Sequence, residues 1–296
     1  MTTHTQPAAT SVGADSAPPG QSTRTALMRS RRRHRRTVLA LRVGVAVVFL
    51  GMWELVSGRP RTEWALIDQL YVSKPSDIWA SLVDSIADGT LLPNIVATTM
   101  ETVLGFLLGA AIGLVLGFLL GISPLWSAVL RPYIVAMNSV PRLALVPLFV
   151  LWFGLGMSSK VVFVAMIVFF LVFYNTFAGV HDVDRELVDV LRVMGSSPVQ
   201  LHTTVTLPSA MTWIISGLSI SVPYALVAAV TAEIVASNEG VGYLLNLAAG
   251  QFDTAGVFAA ILVLVVMGLI LTGLVTLLER YLLRWKTDRL RSRSGF

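Results

Sequence analysis

The segment Asp184-Arg-Glu-Leu-Val-Asp-Val-Leu-Arg-Val-Met-Gly-Ser-Ser-Pro-Val-Gln-Leu-His-Thr-Thr-Val-Thr-Leu-Pro208 is the most organised polar stretch in the chain. Leu187, Val190, Leu191 and Met194 recur at i, i+3, i+4 and i+7. Asp184, Arg185, Glu186, Asp189 and Arg192 take the remaining faces, the pattern of an amphipathic helix. Gly195 can adopt the left-handed conformation that ends such a helix. Ser197 is a good N-cap, Pro198 suits the first helical position, and Gln200 stands three residues after the cap, so a second helix starts at once. A helix-turn-helix of this kind either lies along a bilayer surface or projects as a knob into a groove on a soluble partner, and the pattern alone leaves both open.

Apolar runs surround this segment. A spanning helix needs ~20 mostly apolar residues, because hydrocarbon offers no partner for backbone N–H and C=O groups. Runs of this length lie at 38–57, 98–121, 161–180, 210–232 and 256–278. A sixth, 125–156, is interrupted by Pro132, Pro141 and Pro147 and reads as a bent or partly unwound span. The expected architecture is therefore an all-α integral membrane protein of about six transmembrane helices. In the second span Gly105, Gly109, Gly113, Gly117 and Gly121 follow one another every four residues, making a groove in which another helix backbone can approach closely. Residues 76–86 carry Ile78, Trp79, Leu82, Val83 and Ile86 at helical spacing, as an amphipathic helix at the outer interface would.

Composition agrees. Of 296 residues 55% are hydrophobic and 13% charged, against roughly 25% charged in a soluble domain, and the mean hydropathy is +0.74. The net charge of +5 does not point to nucleic acid, because eight arginines fall between Arg24 and Arg42 and six Lys/Arg between Arg280 and Arg293, out of 22 in all. Flanks this rich in Lys/Arg resist translocation, which places both termini in the cytoplasm, on the same side as 182–208. Residues 1–36 read as a disordered Arg-rich cytoplasmic tail, 37–286 as the membrane domain and 287–296 as a basic cytoplasmic tail. No small-x-small cleavage site follows the first span at 52–58, so it is expected to be retained. There is no cysteine, hence no disulfide or thiolate metal site.

Charged groups inside spans are costly, about 2.5–3.5 kcal/mol near the bilayer centre, so each needs a partner, a wet cavity or an interface. Glu101, Asn138, Arg142 and Glu233 are the candidates to border a translocation path. Arg142 could alternatively mark the end of its span, and Glu233 could cap the turn after the fifth span, with 240–249 folding back as a short outer gate.

Asp189-Val-Leu, Gly195, Val205, Leu207 and Pro208 match the spacing of the cytoplasmic loop signature of ABC importer permeases, Glu-Ala-Ala, three residues, Gly, nine residues, Ile-x-Leu-Pro. Asp189, Val190, Leu191 and Val205 depart from its consensus while the Gly and Leu-Pro positions hold. Lys74-Pro-Ser-Asp-Ile, Pro141 to Pro147 followed by Leu151-Trp-Phe-Gly-Leu-Gly156, Ala232-Glu233, Gly240-Val-Gly-Tyr243 and Arg284-Trp285 are similar to the branch importing nitrate, sulfonates, taurine and related solutes. The resemblance covers roughly 40–286. It implies the type I importer permease fold, a bacterial inner-membrane location, a second permease copy, two cytoplasmic ATPase subunits and an external solute-binding protein. It also implies that 184–195 is a coupling helix docked in an ATPase groove, through Glu186, Leu187, Asp189, Val190, Leu191, Arg192, Gly195 and Pro208.

No cofactor is expected on this chain. A phosphate-binding loop needs Gly-Lys-Ser/Thr, and Lys74, Lys160 and Lys286 are not preceded by Gly, so ATP and Mg belong to the partner ATPase. The rivals are a stand-alone secondary transporter or channel, which should show repeated halves, a membrane scaffold, and a membrane enzyme. The last lacks Cys, H-E-x-x-H and a G-x-S-x-G in a span.

Overall fold

The computed structural model describes residues 21–57 and 71–282, and every regular element among them is helical. Residues 1–20, 58–70 and 283–296, the last with the basic C-terminal tail expected from the sequence, lie outside the described residues.

The first unit is a single helix, α1 (Gln21–Val56). It corrects the expectation of a disordered tail for 21–36. Between 21 and 43 there is neither Gly nor Pro, and Arg, Ala, Leu and Met are good helix formers, so the helix of the first span propagates back through the arginine run.

In the second unit, α2 (Pro75–Ala87) begins after Lys74 with Pro at its first position. It buries Ile78 and lays Leu82 against the neighbouring helices while Trp79 and Ile86 stay exposed, the one-sided helix its spacing implies. α3 (Leu91–Gly121), α6 (Met157–His181) and α9 (Leu207–Ala236) form the central bundle. The glycine ladder of α3 is its seam. A Cβ at Gly105 would stand 2.5 Å from the Val164 Cβ, one at Gly109 would strike the Ala165 carbonyl, and those at Gly113 and Gly117 would be 2.8 Å from the Phe169 and Phe173 carbonyls. The two backbones touch because no side chain separates them. Phe163, Val164, Val168 and Val172 from α6 share one buried apolar cluster with Ala225, Ala228 and Ala229 from α9.

The proline-rich third span breaks as its sequence implies. α4 (Pro124–Asn138) is followed by a 3-10 turn at Arg142–Leu145 and by α5 (Val146–Phe153), so the chain there is two short helices around an irregular joint. Four helical stretches among the described residues are long and apolar enough to cross a membrane: 91–121, 157–181, 198–236 and 254–279. The last lies in α11 (Thr254–Leu282), whose Leu262, Val266, Leu269 and Ile270 are exposed, as a lipid-facing helix requires. Between α9 and α11 lies the short α10 (Val241–Gly250).

The helix-turn-helix is present, with one correction to its boundary. α7 (Arg185–Val193) starts at Asp184, whose side chain accepts the Glu186 N–H at 2.9 Å. α8 (Pro198–Leu201) has the full capping box: Gln200 N–H donates to Ser197 Oγ at 3.3 Å and Gln200 Oε1 accepts from Ser197 N–H at 3.0 Å. This second limb does not end before the fifth span. A π turn at His202–Thr206 carries it directly into α9, with Leu207 N–H bonded to the His202 carbonyl five residues back. Pro208 lacks an N–H and its ring would clash with the carbonyl four residues earlier, and the wider π turn relieves both.

Candidate functional site

Two regions carry the chemistry. The first is α7 and its turn. Gly195 sits at φ +79°, its N–H bonds the Arg192 carbonyl at 3.0 Å and the Ser196 N–H bonds the Leu191 carbonyl at 3.1 Å. These are the two bonds of a Schellman motif, and they need a residue that tolerates positive φ. The motif fixes the angle between α7 and the 39-residue stretch 198–236. On α7, Leu187, Val190 and Met194 are exposed, Leu191 is half-buried, and Glu186, Asp189 and Arg192 are exposed. Arg192 and Asp189 pair at 3.6 Å in solvent, a contact worth little by itself.

The second region lies at the opposite end of the bundle. Lys160, the fourth residue of α6, donates from Nζ to Glu101 Oε1 of α3 at 2.7 Å, with 1% and 0% of the two side chains exposed. Glu233, three residues before the end of α9 and 1% exposed, adjoins this pair. Thr98 Oγ1 donates to Glu233 Oε1 at 2.7 Å and accepts from Val241 N–H at 2.8 Å. Glu233 Oε2 accepts from Gly242 N–H at 2.7 Å, and Asn94 Oδ1 from Gly240 N–H at 2.6 Å.

Glu101 and Glu233, expected from the sequence to border a path, are both buried within the chain, Glu101 paired with Lys160 and Glu233 bonded to Thr98 and Gly242. Lys160, whose partnership the sequence reading missed, had a signal: a lone cation at the start of an apolar span needs an anion. Arg142 lies in the 3-10 turn with its guanidinium 4.7 Å from the centroid of Phe170, the fourteenth of 25 residues in α6. That is about half-way along α6. Asn138 is the last residue of α4, at the same broken joint. A further cleft of about 510 Å³ beside the 182–208 segment is lined by Ser127, Tyr174, Phe177, His181, Asp182 and Trp213, with His181 Nε2 2.6 Å from Ser127 Oγ.

Residues 91–284 match the family of binding-protein-dependent transport system inner membrane components. The chain belongs to this family. It is the membrane-spanning permease of an ABC importer, working with ATPase and solute-binding partners. It is 32% identical over 241 residues to the putative aliphatic sulfonates transport permease protein SsuC of Bacillus subtilis (strain 168), covering 81% of this chain and 86% of that one. To the formylaminopyrimidine transport permease protein ThiX of Halalkalibacterium halodurans it is 31% identical over 215 residues, covering 73% and 83%. A solved structure of the MetNI methionine ABC transporter in an inward-facing conformation superposes with a TM-score of 0.56 at 18% identity, over 65% of this chain and 95% of that one. This last likeness speaks to the fold alone.

Proposed function

We propose that two copies of this permease form the translocation path of an importer for small organic anions of the aliphatic sulfonate class, driven by two cytoplasmic ATPases through α7. The observation that carries the coupling role is the exposed apolar ridge Leu187, Val190 and Met194 on a helix locked to α9 by the Gly195 turn. Exposed apolar side chains of this kind gain from burial against a bilayer surface or another protein, and the ATPase partner of this family supplies the protein surface. Both termini and α7 share the cytoplasmic face, as the flanking arginines favour. ATP and Mg are held by the ATPases. Their closure draws the two α7 helices together, and the continuous stretch 198–236 turns that displacement into a change in which side the path faces.

Relatives with unrelated cargo share similar identity, so identity does not select the solute. Arg142 favours an anion: a guanidinium at mid-depth, in a broken span, supplies fixed positive charge where irregular backbone is tolerated only against protein or a wet path.

The test is affinity purification of the tagged permease in mild detergent, with mass spectrometry and an ATPase assay, for wild type and Gly195→Val. Co-purification of an ATPase and a solute-binding protein with wild type, and an ATPase lost or uncoupled in the variant, is the expected result. A permease that brings down no ATPase in several detergents overturns the reading in favour of a stand-alone transporter or scaffold.

A further inference from the structure

The three bonds at the start of α10 are unusual in their donors and acceptors. The N–H groups of Gly240, Val241 and Gly242 are the first orphan donors of a helix, which ordinarily go to water or to a local cap. Here each goes to a side chain of a different segment of the bundle: Asn94 and Thr98 of α3 and Glu233 of α9, at 2.6, 2.8 and 2.7 Å. Glycine is required at two of these positions. Gly240 holds φ +104°, and a Cβ there would overlap the Glu233 carboxylate. At Gly242 a Cβ would stand 2.7 Å from the Val230 carbonyl and 2.8 Å from Glu233 Oε2. The backbone of α10 is thus seated directly on Glu233, with Val241 fully buried beneath it. The same carboxylate cluster is fastened to α6 by Lys160 through Glu101.

We infer that Asn94, Thr98 and Glu233 are positioning residues that latch α10 to α3 and α9, with Glu101–Lys160 tying α6 to the same point. α10 then travels with the core as one rigid body through the transport cycle. The outer end is opened by movement of whole permease copies, and α10 does not swing as a separate gate. A carboxylate aimed at a helix N-terminus is favourable both as a hydrogen-bond acceptor and towards the helix dipole. Releasing it would leave Glu233 Oε2 without its Gly242 N–H donor. Opening α10 alone would therefore break two buried bonds and one part-buried bond at once, whereas rigid-body motion breaks none.

The part of this inference that concerns the transport cycle rests on the importer reading, and the latch does not, so two measurements separate them. Amide hydrogen exchange on the purified full-length permease needs no ATPase. The peptide spanning 237–250 should be strongly protected in wild type and exchange about tenfold faster or more in Glu233→Gln, with the peptide covering α11 unchanged. Thr98→Val, close to isosteric, removes one donor and one acceptor, and should give the same local loss if Glu233→Gln does not assemble. Equal exchange in wild type and both variants overturns the latch.

The chain has no cysteine, so spin labels placed at the exposed Leu92 and Leu247 through L92C and L247C report on α3 and α10 alone. In the reconstituted importer with its ATPases, their separation should stay constant to within about 2 Å between nucleotide-free and ATP-trapped states. In Glu233→Gln it should broaden, and more ATP should be spent per solute moved. A wild-type separation that changes by several Å on trapping ATP shows α10 to be an independent gate and overturns the rigid-body inference.

Discussion

Lys160 reaches from the first turn of α6 to Glu101 in α3, Nζ to Oε1 at 2.7 Å, with neither side chain open to solvent. The relationship ties the two helices that the glycine ladder brings into backbone contact, at the end of the bundle opposite α7. Removing one partner leaves the other charged and buried, which costs about 3–5 kcal/mol. Lys160→Met should therefore lower the thermal stability of the detergent-solubilised permease sharply. Lys160→Met combined with Glu101→Leu should recover most of the loss, because the pair is replaced by packing. Fluorescence-detected size exclusion after heating measures both, and equal loss in single and double variants would count against the pair.

The ladder makes its own prediction. Gly109→Val places a side chain on the Ala165 carbonyl and forces α3 from α6, an overpacking cost of about 1–3 kcal/mol or more. Gly273→Ala in α11 has nothing within 4 Å of the new Cβ and should leave stability unchanged or slightly raised. The same thermal assay compares them.

On the docking face, Leu187→Asp with Val190→Asp should abolish co-purification of the ATPase while shifting permease stability by no more than about 0.5 kcal/mol, since both side chains are exposed. A merely bilayer-resting helix would instead keep the ATPase.

Arg142→Gln should reduce uptake of a radiolabelled aliphatic sulfonate by about tenfold, corresponding to ~1.4 kcal/mol in the barrier, with ATPase assembly intact. Arg142→Lys should recover part of it, since charge returns without the planar stack on Phe170. Unchanged uptake in Arg142→Gln removes this residue from the path and the anion preference with it.

Ser197→Ala should cost about 1 kcal/mol locally by deleting the cap of α8. The measurable consequence is faster amide exchange across 196–201, and a loosened angle between α7 and α9 should show as a higher ratio of ATP hydrolysed to solute moved.

Local pattern was sufficient for much of this molecule. The heptad from Leu187 to Met194, the Asp184 and Ser197 caps and Gly195 set the helix-turn-helix, because caps, periodicity and positive φ are properties of a few neighbouring residues. Pro141 broke the third span for the same reason, through a missing N–H and a ring that clashes with the carbonyl four residues back, while Pro132 is held inside α4 and Pro147 in the first turn of α5. Gly105 through Gly121 announced a close helix approach without naming the helix. What only the tertiary structure decided is who meets whom. That α6 fills the ladder, that Lys160 finds Glu101 across 59 residues, and that Glu233 caps α10 with help from Asn94 and Thr98 are contacts between segments far apart in the chain. Spacing in a sequence carries no information about such distances, whereas the need of each buried polar group for a partner does show that one exists. The fifth span, expected at 210–232, begins earlier for a related reason: His202, Thr203, Thr204 and Thr206 look like a loop, yet a π turn carries the helix through to Pro208, since hydrogen bonding along the backbone is indifferent to side-chain polarity.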